Sequence, residues 1–258
     1  MEDRENAETA TGASNTGTVH GVPGDQVENV GLLDLRGASP EAMARLKVVR
    51  NVGLILVDAG QASALTNVRM ENTGTIAEAH PDERILIGPS TDFNKAVLEG
   101  MEPGLRLTVI GIVTFDPDIP LPLLSEKFAF LRLIGVLIAP AGVQGALLGK
   151  MEHTGVAIIL KASGPILKNI GAVRITTGYL SHMKPGTVFL NIGEARIDPE
   201  VTVGMISEKI IEYHNVGHTV GPTDVVQWLQ VNAPTQLGAF QTHEEAAASS
   251  EEAAEGDE

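Results

Sequence analysis

The sequence predicts an α/β fold built as a repeat solenoid of about eleven strand–helix/turn coils, grouped in three superunits of about 82 residues. The first observation is a long internal repeat, because the segment from Met101 to Pro140 recurs 82 positions later as Met183 to Pro222. The second is a shorter repeat within it, in which a polar residue, an aliphatic residue and a glycine precede an apolar stretch. The third is that these apolar stretches alternate with segments that carry helix signals. We therefore expect stacked coils, with parallel strands on one side and helices on the other.

Glycines mark the predicted coils, and asparagines accompany many of them. The eleven glycines are Gly31, Gly53, Gly74, Gly88, Gly111, Gly135, Gly155, Gly171, Gly193, Gly217 and Gly238. Six coils carry an asparagine two residues earlier: Asn29, Asn51, Asn72, Asn169, Asn191 and Asn215. Because equivalent residues of stacked coils lie side by side, we expect the amides to form a ladder that satisfies backbone groups where each coil turns.

Helix signals lie between the glycine motifs. Ser39, Pro40 and Glu41 offer an N-cap, a proline at the first helical position and an acid in the first turn. Further helical segments are predicted at about Pro122–Leu131, Val143–Met151, Val201–Tyr213 and Asp224–Val231. The stretches that follow the glycines are short and rich in β-branched residues, which favours strands.

In coil length, strand–helix alternation and recurrent asparagine, the chain resembles a leucine-rich-repeat solenoid over roughly residues 28–240. This resemblance is one of architecture, and it implies a single elongated α/β domain over residues 28–240. The flanking segments, residues 1–27 and 241–258, are small, polar and acidic, as disordered tails are.

The two faces of the predicted strands are both apolar. Counting from each glycine, one parity is apolar almost throughout and is the expected core. The opposite parity supplies a second apolar face formed by Leu54, Leu56, Ile110, Ile112, Ile134, Val136, Ile138, Val156 and Ile158. One interpretation is an interaction surface for a second copy or a protein partner, because large exposed apolar patches are rare on monomers. The other is that both faces are buried within the chain.

The ends of the predicted stack carry no charged or amphipathic capping segment. Open ends favour end-to-end stacking of copies. The sequence therefore predicts a non-enzymatic scaffold or self-assembling structural protein, either a homo-oligomer or bound to a protein partner. It predicts no catalytic residue, no cofactor and no metal site.

An alternative function uses polar residues that interrupt the second face. Arg174, Glu194, Arg196 and His218 fall on adjacent coils and could form a polar pocket for an anion, a small ligand or acid–base chemistry. His214 and His218 are four residues apart, but the glycine motif between them indicates a turn, which argues against a shared metal.

Charge and composition limit the possible partners. Residues 26–240 hold 17 Lys and Arg against 21 Asp and Glu, which argues against nucleic-acid binding. The chain has no cysteine, its N-terminus lacks the pattern of a secretory signal, and no apolar stretch reaches the length of a membrane span. We therefore expect no membrane span and a cytoplasmic location.

Overall fold

A computed structural model describes residues 18–80 and 82–255, with side chains as far as residue 249. These residues form sixteen strands in four parallel sheets of four strands each, together with eight helices and one 3₁₀ turn. The chain divides into two compact units, Met1–Arg84 and Ile85–Glu258.

The first unit contains sheet 1, whose strands lie in sequence order. They are β1 (Thr18–His20), β2 (Gln26–Asp34), β3 (Val48–Asp58) and β4 (Arg69–Ala79). Helix α1 (Pro40–Met43) connects β2 to β3, and the 3₁₀ turn Ala62–Leu65 connects β3 to β4. The predicted start of α1 is confirmed, since the hydroxyl of Ser39 accepts a hydrogen bond from the backbone N–H of Ala42 at 3.2 Å.

The second unit begins with sheet 2, which is also in sequence order. Its strands are β5 (Arg84–Phe93), β6 (Leu105–Phe115), β7 (Phe128–Pro140) and β8 (Met151–Leu160). The connecting helices are α2 (Lys95–Gly100), α3 (Leu121–Lys127) and α4 (Gly142–Ala146). They cover one face of the sheet, where residues such as Leu98, Leu124 and Val143 pack against Val113 and Leu137.

Beyond β8, each turn of the chain contributes one strand to each of two sheets. Sheet 3 consists of β9 (Ile166–Asn169), β11 (Thr187–Asn191), β13 (Ile210–Asn215) and β15 (Thr235–Gln236). Sheet 4 consists of β10 (Ala172–Ile175), β12 (Glu194–Ile197), β14 (His218–Gly221) and β16 (Ala239–Thr242). The helices of this region are α5 (Thr177–His182), α6 (Val203–Lys209), α7 (Thr223–Asn232) and α8 (His243–Glu255). Sheets 3 and 4 share one apolar core with α5, α6 and α7.

The predicted solenoid of eleven single-strand coils is wrong, and so is the leucine-rich-repeat architecture. The strands belong to four separate sheets. At glycines such as Gly193 the chain turns a corner and passes from sheet 3 to sheet 4. In sheet 2 the equivalent glycines, Gly111 and Gly135, lie inside single long strands. Sheet 2 also has apolar cover on both faces, with helices on one side and sheet 3 on the other.

The recurrent glycines have a steric cause that sheet 2 illustrates. Gly111, Gly135 and Gly155 lie directly opposite one another on β6, β7 and β8. At Gly135, φ is +134°, and a Cβ atom would lie 2.1 Å from the backbone oxygen of Gly111. Neighbouring strands approach too closely at this row for any side chain.

The side-by-side asparagines are confirmed in two places, but only the second ladder lies at a turn and donates to backbone oxygens, as predicted. In sheet 1 the amide of Asn51 donates to Asn29 Oδ1, and that of Asn72 donates to Asn51 Oδ1, both at 2.8 Å. These three residues have positive φ, between 50° and 57°. The second ladder lies at the corner between sheets 3 and 4, where Asn169 donates to Asn191 at 2.8 Å and Asn191 donates to Asn215 at 2.9 Å.

The segment predicted as a C-terminal tail contains secondary structure as far as residue 255. Strand β16 extends to Thr242, and α8 follows it directly. The helix begins with a reciprocal cap, since Thr242 Oγ1 accepts from the N–H of Glu245 and the carboxylate of Glu245 accepts from the N–H of Thr242. In the predicted N-terminal tail, β1 and the start of β2 are ordered, whereas residues 1–17 lie outside the described part of the chain.

Candidate functional site

The predicted second apolar face is mostly buried within the chain. Leu54 and Leu56, in sheet 1, are almost completely inaccessible to solvent. In sheet 2, Ile112, Ile138 and Ile158 are buried as well. Five of the nine residues expected on an interaction face are therefore unavailable to a partner.

Sheet 3 provides the cover for sheet 2. Ile112, Ile138 and Ile158 form one apolar cluster with Val188 and Leu190, which project from β11. Val136 and Val156 pack against this cluster and are half-buried, and Ile110 and Ile134 are half-buried as well. The apolar run on both faces of sheet 2 thus reflects a layered arrangement of helices, sheet 2 and sheet 3.

Two polar contacts fix sheet 3 to sheet 2 at opposite edges. At the first edge, the ammonium of Lys168 on β9 donates to Ser90 Oγ at 2.9 Å and to Thr114 Oγ1 at 3.1 Å, and it forms an ion pair with Asp92. Burial alone would raise the pKa of Asp92, but the hydrogen bond and positive charge of Lys168 lower it below its ordinary value.

The second edge is held by a buried carboxylate and a buried imidazole. Glu212 on β13 accepts from the backbone N–H of Ala162 at 2.7 Å and from that of Lys161 at 3.2 Å. His214 contacts Glu212 at 3.1 Å through Nε2 and Thr235 at 3.0 Å through Nδ1. Burial lowers the pKa of His214 although the hydrogen bond to Glu212 acts in the opposite direction.

The four predicted pocket residues do come together, on one face of sheet 4. Glu194 lies opposite His218, and Arg174 lies opposite Arg196, on neighbouring strands. Their side chains are exposed or half-buried and already have partners. Arg174 pairs with Asp198 at 2.6 Å, Arg196 with Glu194 at 3.5 Å, and His218 contacts Gln241 at 3.0 Å. The four residues therefore lie side by side on β10, β12 and β14.

The core shared by sheets 3 and 4 is open at both ends. At the first end, formed by β9, β10 and α5, Leu167, Val173 and Tyr179 pack on this core and remain partly exposed. Ile170, in the turn between β9 and β10, is 45% exposed.

The last end is formed by β15, β16 and α7, and apolar side chains are again partly exposed there. The expectation that no charged segment follows the last coil is wrong, because the acidic helix α8 follows β16 and contacts β14 and β16. Trp228 and Phe240 pack on the core and remain partly exposed, as do Leu167, Val173 and Tyr179 at the other end. Val231 and Leu237 are 83% and 60% exposed. Both ends therefore present apolar side chains to solvent.

Several of these residues were not predicted as functional. Lys168, Glu212 and Tyr179 belong to no motif, and the segment Ser90–Asp92 before β5 ends resembles a helix cap in sequence. The cap of α2 is instead Asn94, whose side chain accepts from the N–H of Val97. One signal was available at the sequence level, because Tyr179, Tyr213 and Trp228 depart from the repeat pattern.

No protein-family model, curated protein or solved structure matches the chain. Within residues 18–80 and 82–255, no helix has the length and apolar character needed to cross a bilayer. The described residues also contain no group of three or more histidines and carboxylates arranged to hold a metal ion.

Proposed function

We propose that this protein is a self-associating structural protein whose copies join head to tail through the two open ends of sheets 3 and 4. The observation that carries the proposal is the apolar core that opens to solvent at both ends. Half-buried Leu167 and Tyr179 lie at the first end, and Trp228 and Phe240 at the last. Contact between such ends removes apolar area from water, which favours association.

The backbone of the edge strands supports the same arrangement. Strands β10 and β16 each have one neighbour in sheet 4, as β9 and β15 have in sheet 3. In a parallel sheet, each strand bonds to its predecessor along one edge and to its successor along the other. The backbone N–H and C=O groups left unpaired along β16 therefore complement those left unpaired along β10. Two edges that complement each other but differ in sequence make a head-to-tail contact, which repeats from copy to copy.

Side chains are compatible with continuing the sheet across the contact. Within sheet 4, Ala172 aligns with Glu194, then His218, then Ala239, and Val220 aligns with Gln241. Continuing this register would place Ala239 of one copy beside Ala172 of the next, and Gln241 beside Arg174. Neither pair brings like charges together.

The location of such an assembly is part of the proposal. The chain contains no cysteine and needs no oxidising compartment to form disulfides. We place the assembly in the cytoplasm.

The proposal is tested by variants that charge one end at a time. Val231→Glu with Leu237→Glu alters the last end, and Ile170→Glu alters the first end, all at exposed positions. Leu148→Glu is the matched control, because Leu148 is apolar and 85% exposed but lies between α4 and β8. Molar mass is measured by light scattering behind size exclusion over a range of concentrations.

We expect the natural chain and the Leu148→Glu control to grow in mass with concentration, and each single-end variant to remain a monomer. An equimolar mixture of the two single-end variants should form a dimer and nothing larger, because each retains one intact end. A natural chain that stays monomeric at every concentration would contradict the proposal. So would end variants that associate as the control does.

A further inference from the structure

A groove of about 520 Å³ lies beside the first end of sheets 3 and 4. Its lining combines apolar residues, Leu167 of β9 and Met183 after α5, with polar ones from β10 and α5: Arg174, Thr176, Tyr179 and His182. An apolar surface with a few neighbouring polar groups is the usual composition of a small-molecule site, and here the surface is shallow.

Arg174 brings a guanidinium to this groove, and its side chain is 71% exposed and ion-paired with Asp198. Its Nε donates to Asp198 Oδ1 at 2.6 Å, which holds the guanidinium in place. Among the described residues, none accepts from its two terminal nitrogens. These nitrogens present a planar pair of donors, the arrangement that binds a carboxylate through two parallel hydrogen bonds.

Two hydroxyl groups of the groove can add donors. Thr176 Oγ1 accepts from the N–H of Tyr179 at 2.9 Å, so its own hydrogen is free to be donated. The phenol of Tyr179 has no hydrogen-bond partner in the described part of the chain, and burial raises its pKa, which keeps it protonated and able to donate. His182 is oriented by a contact of 2.8 Å between Nδ1 and the carbonyl of Gly178, and no described residue bonds to its Nε2.

From this geometry we infer that the groove binds a small organic carboxylate with a flat apolar body, whose charge meets Arg174 and whose body lies on Leu167, Met183 and the ring of Tyr179. A carboxylate suits the paired donors, and an apolar body suits the remaining surface. The head-to-tail contact proposed above would cover Leu167, Arg174 and Tyr179, so the ligand binds to a chain whose first end is free.

Benzoate is the probe, and tyrosine rings provide the readout. The chain has two tyrosines, of which Tyr179 lines the groove and Tyr213 is buried in the core. With isotope-labelled tyrosine, a titration followed by NMR should give a saturable shift for Tyr179 and none for Tyr213. Benzamide, which has the same ring without the charge, and inorganic phosphate, which has charge without a ring, should each bind at least tenfold more weakly.

Arg174→Gln should weaken benzoate binding at least tenfold, and Arg196→Gln is its matched control. Arg196 is the neighbouring arginine on the same face of sheet 4, and the structure places it outside the groove. Tyr179→Phe, measured by calorimetry, keeps the ring and should weaken binding by a smaller factor.

Three results would overturn the inference: no saturable shift of Tyr179, phosphate binding as tightly as benzoate, or equal loss of binding in the two arginine variants. The titration is performed at a concentration where light scattering shows a monomer. A failure here therefore concerns the groove alone and is distinguishable from a failure of self-association.

Discussion

Strand β6 and the pair β11–β12 occupy equivalent positions of the 82-residue repeat, yet their structures differ. β6 is one strand of eleven residues with Gly111 near its middle. In the second copy of the repeat, β11 ends at Asn191, and β12 begins at Glu194 in another sheet. Similar sequences have thus formed one long strand in sheet 2 and a corner between sheets 3 and 4.

The residue two positions before the glycine distinguishes the two regions. Sheet 2 has Val109 there, buried in the apolar core beneath the helices. The corner has Asn191, also buried, whose amide donates to the backbone oxygen of His218 at 3.0 Å and to Asn215. A buried amide is stable when it has acceptors, and a corner supplies them because it brings the start of β14 next to the asparagine.

Sheet 1 shows that asparagine alone does not make a corner. Asn51 has the same place before Gly53, but β3 continues through both residues as one strand. Its side chain is exposed and bonds to neighbouring asparagines, while its positive φ accommodates a local irregularity in the strand. Burial of the amide, rather than its presence, accompanies the corner.

The largest expected loss of stability comes from the closely packed glycines that sheet 2 and the corner have in common. In Gly217→Ala the new Cβ atom would lie 1.8 Å from the backbone oxygen of Gly193, and in Gly135→Ala it would lie 2.1 Å from that of Gly111. Because backbone cannot yield as a side chain can, each variant should lose more than about 3 kcal/mol of unfolding free energy. Urea-induced unfolding followed by circular dichroism measures this loss.

Gly145→Ala is the control for both glycine variants. Gly145 lies in α4, and a Cβ atom there would meet no neighbouring atom within 4 Å. This substitution should leave stability unchanged or raise it slightly, since alanine favours helix. Equal effects at all three positions would show that close strand approach is not what requires glycine.

The next largest loss of stability should distinguish the buried asparagine ladder at the corner from the exposed ladder in sheet 1. Asn191→Val, which introduces the residue of the sheet 2 repeat, removes the amide that donates to the backbone oxygen of His218 and the acceptor of the Asn169 amide. Asn215 Oδ1 also loses a donor but keeps the hydroxyl of Thr219 at 3.1 Å. Each buried polar group left unpaired costs roughly 1–3 kcal/mol, so we expect a loss of about 3 kcal/mol. Fluorescence of Trp228, the single tryptophan, follows the unfolding of this region.

Asn51→Ala is the corresponding change in sheet 1, and it should cost about 1 kcal/mol, mainly because alanine is disfavoured at positive φ. Asn51→Gly should be close to neutral. If Asn51→Ala and Asn191→Val prove equally destabilising, burial of the amide does not distinguish the two ladders.

A smaller effect should appear as a difference in pH dependence. The pKa of His214 is lowered by burial, so the unfolded chain binds more protons than the folded one below the ordinary value of 6.5. Stability of the sheet 3 region should fall as pH drops below 6.5. His214→Gln should remove this component, although Glu212 and Lys161 remain beside the site. A pH profile unchanged by His214→Gln would contradict the assignment.

Sheet 1 should respond in a more acidic range. Burial alone would raise the pKa of Asp34, but hydrogen bonds from Arg36 lower it below 3.8. The contribution of ionised Asp34 to stability is therefore present at pH values above its pKa in the unfolded chain. It is lost as the pH falls through the lower pKa of the folded chain. Amide hydrogen exchange at β2 should show that this strand opens more readily at pH 3 than at pH 5.5.

Features that repeat locally were predictable from the sequence. The glycine rows, the asparagine ladders, the start of α1 and one core face follow from residues that recur at a short spacing. Among residues predicted for that core, Val113, Leu137 and Ala195 are buried, whereas Ala157 and Ile159 remain accessible because they lie on the edge strand β8.

The arrangement of the sheets was not predictable in this way. Whether the second apolar face met solvent or another layer depends on contacts such as that of the Ile112 cluster with Val188, 76 residues further along the chain. No periodic pattern encodes such a contact. The same holds for the candidate groove, because its members come from β9, β10 and α5. Only Arg174 among them is a predicted site residue, although Tyr179 departs from the repeat pattern.

The parallel pairing within each sheet has a consequence for folding. Partners on adjacent strands are close in sequence, as Val30 with Val52 and Ile110 with Ile134. Each strand can pair with its predecessor soon after it leaves the ribosome, since short loops close at small entropic cost. Docking of sheet 3 on sheet 2 joins distant residues, such as Lys168 and Asp92, and we expect it to follow strand pairing. Until then, the apolar face that this chain later buries is open to chaperones and to aggregation.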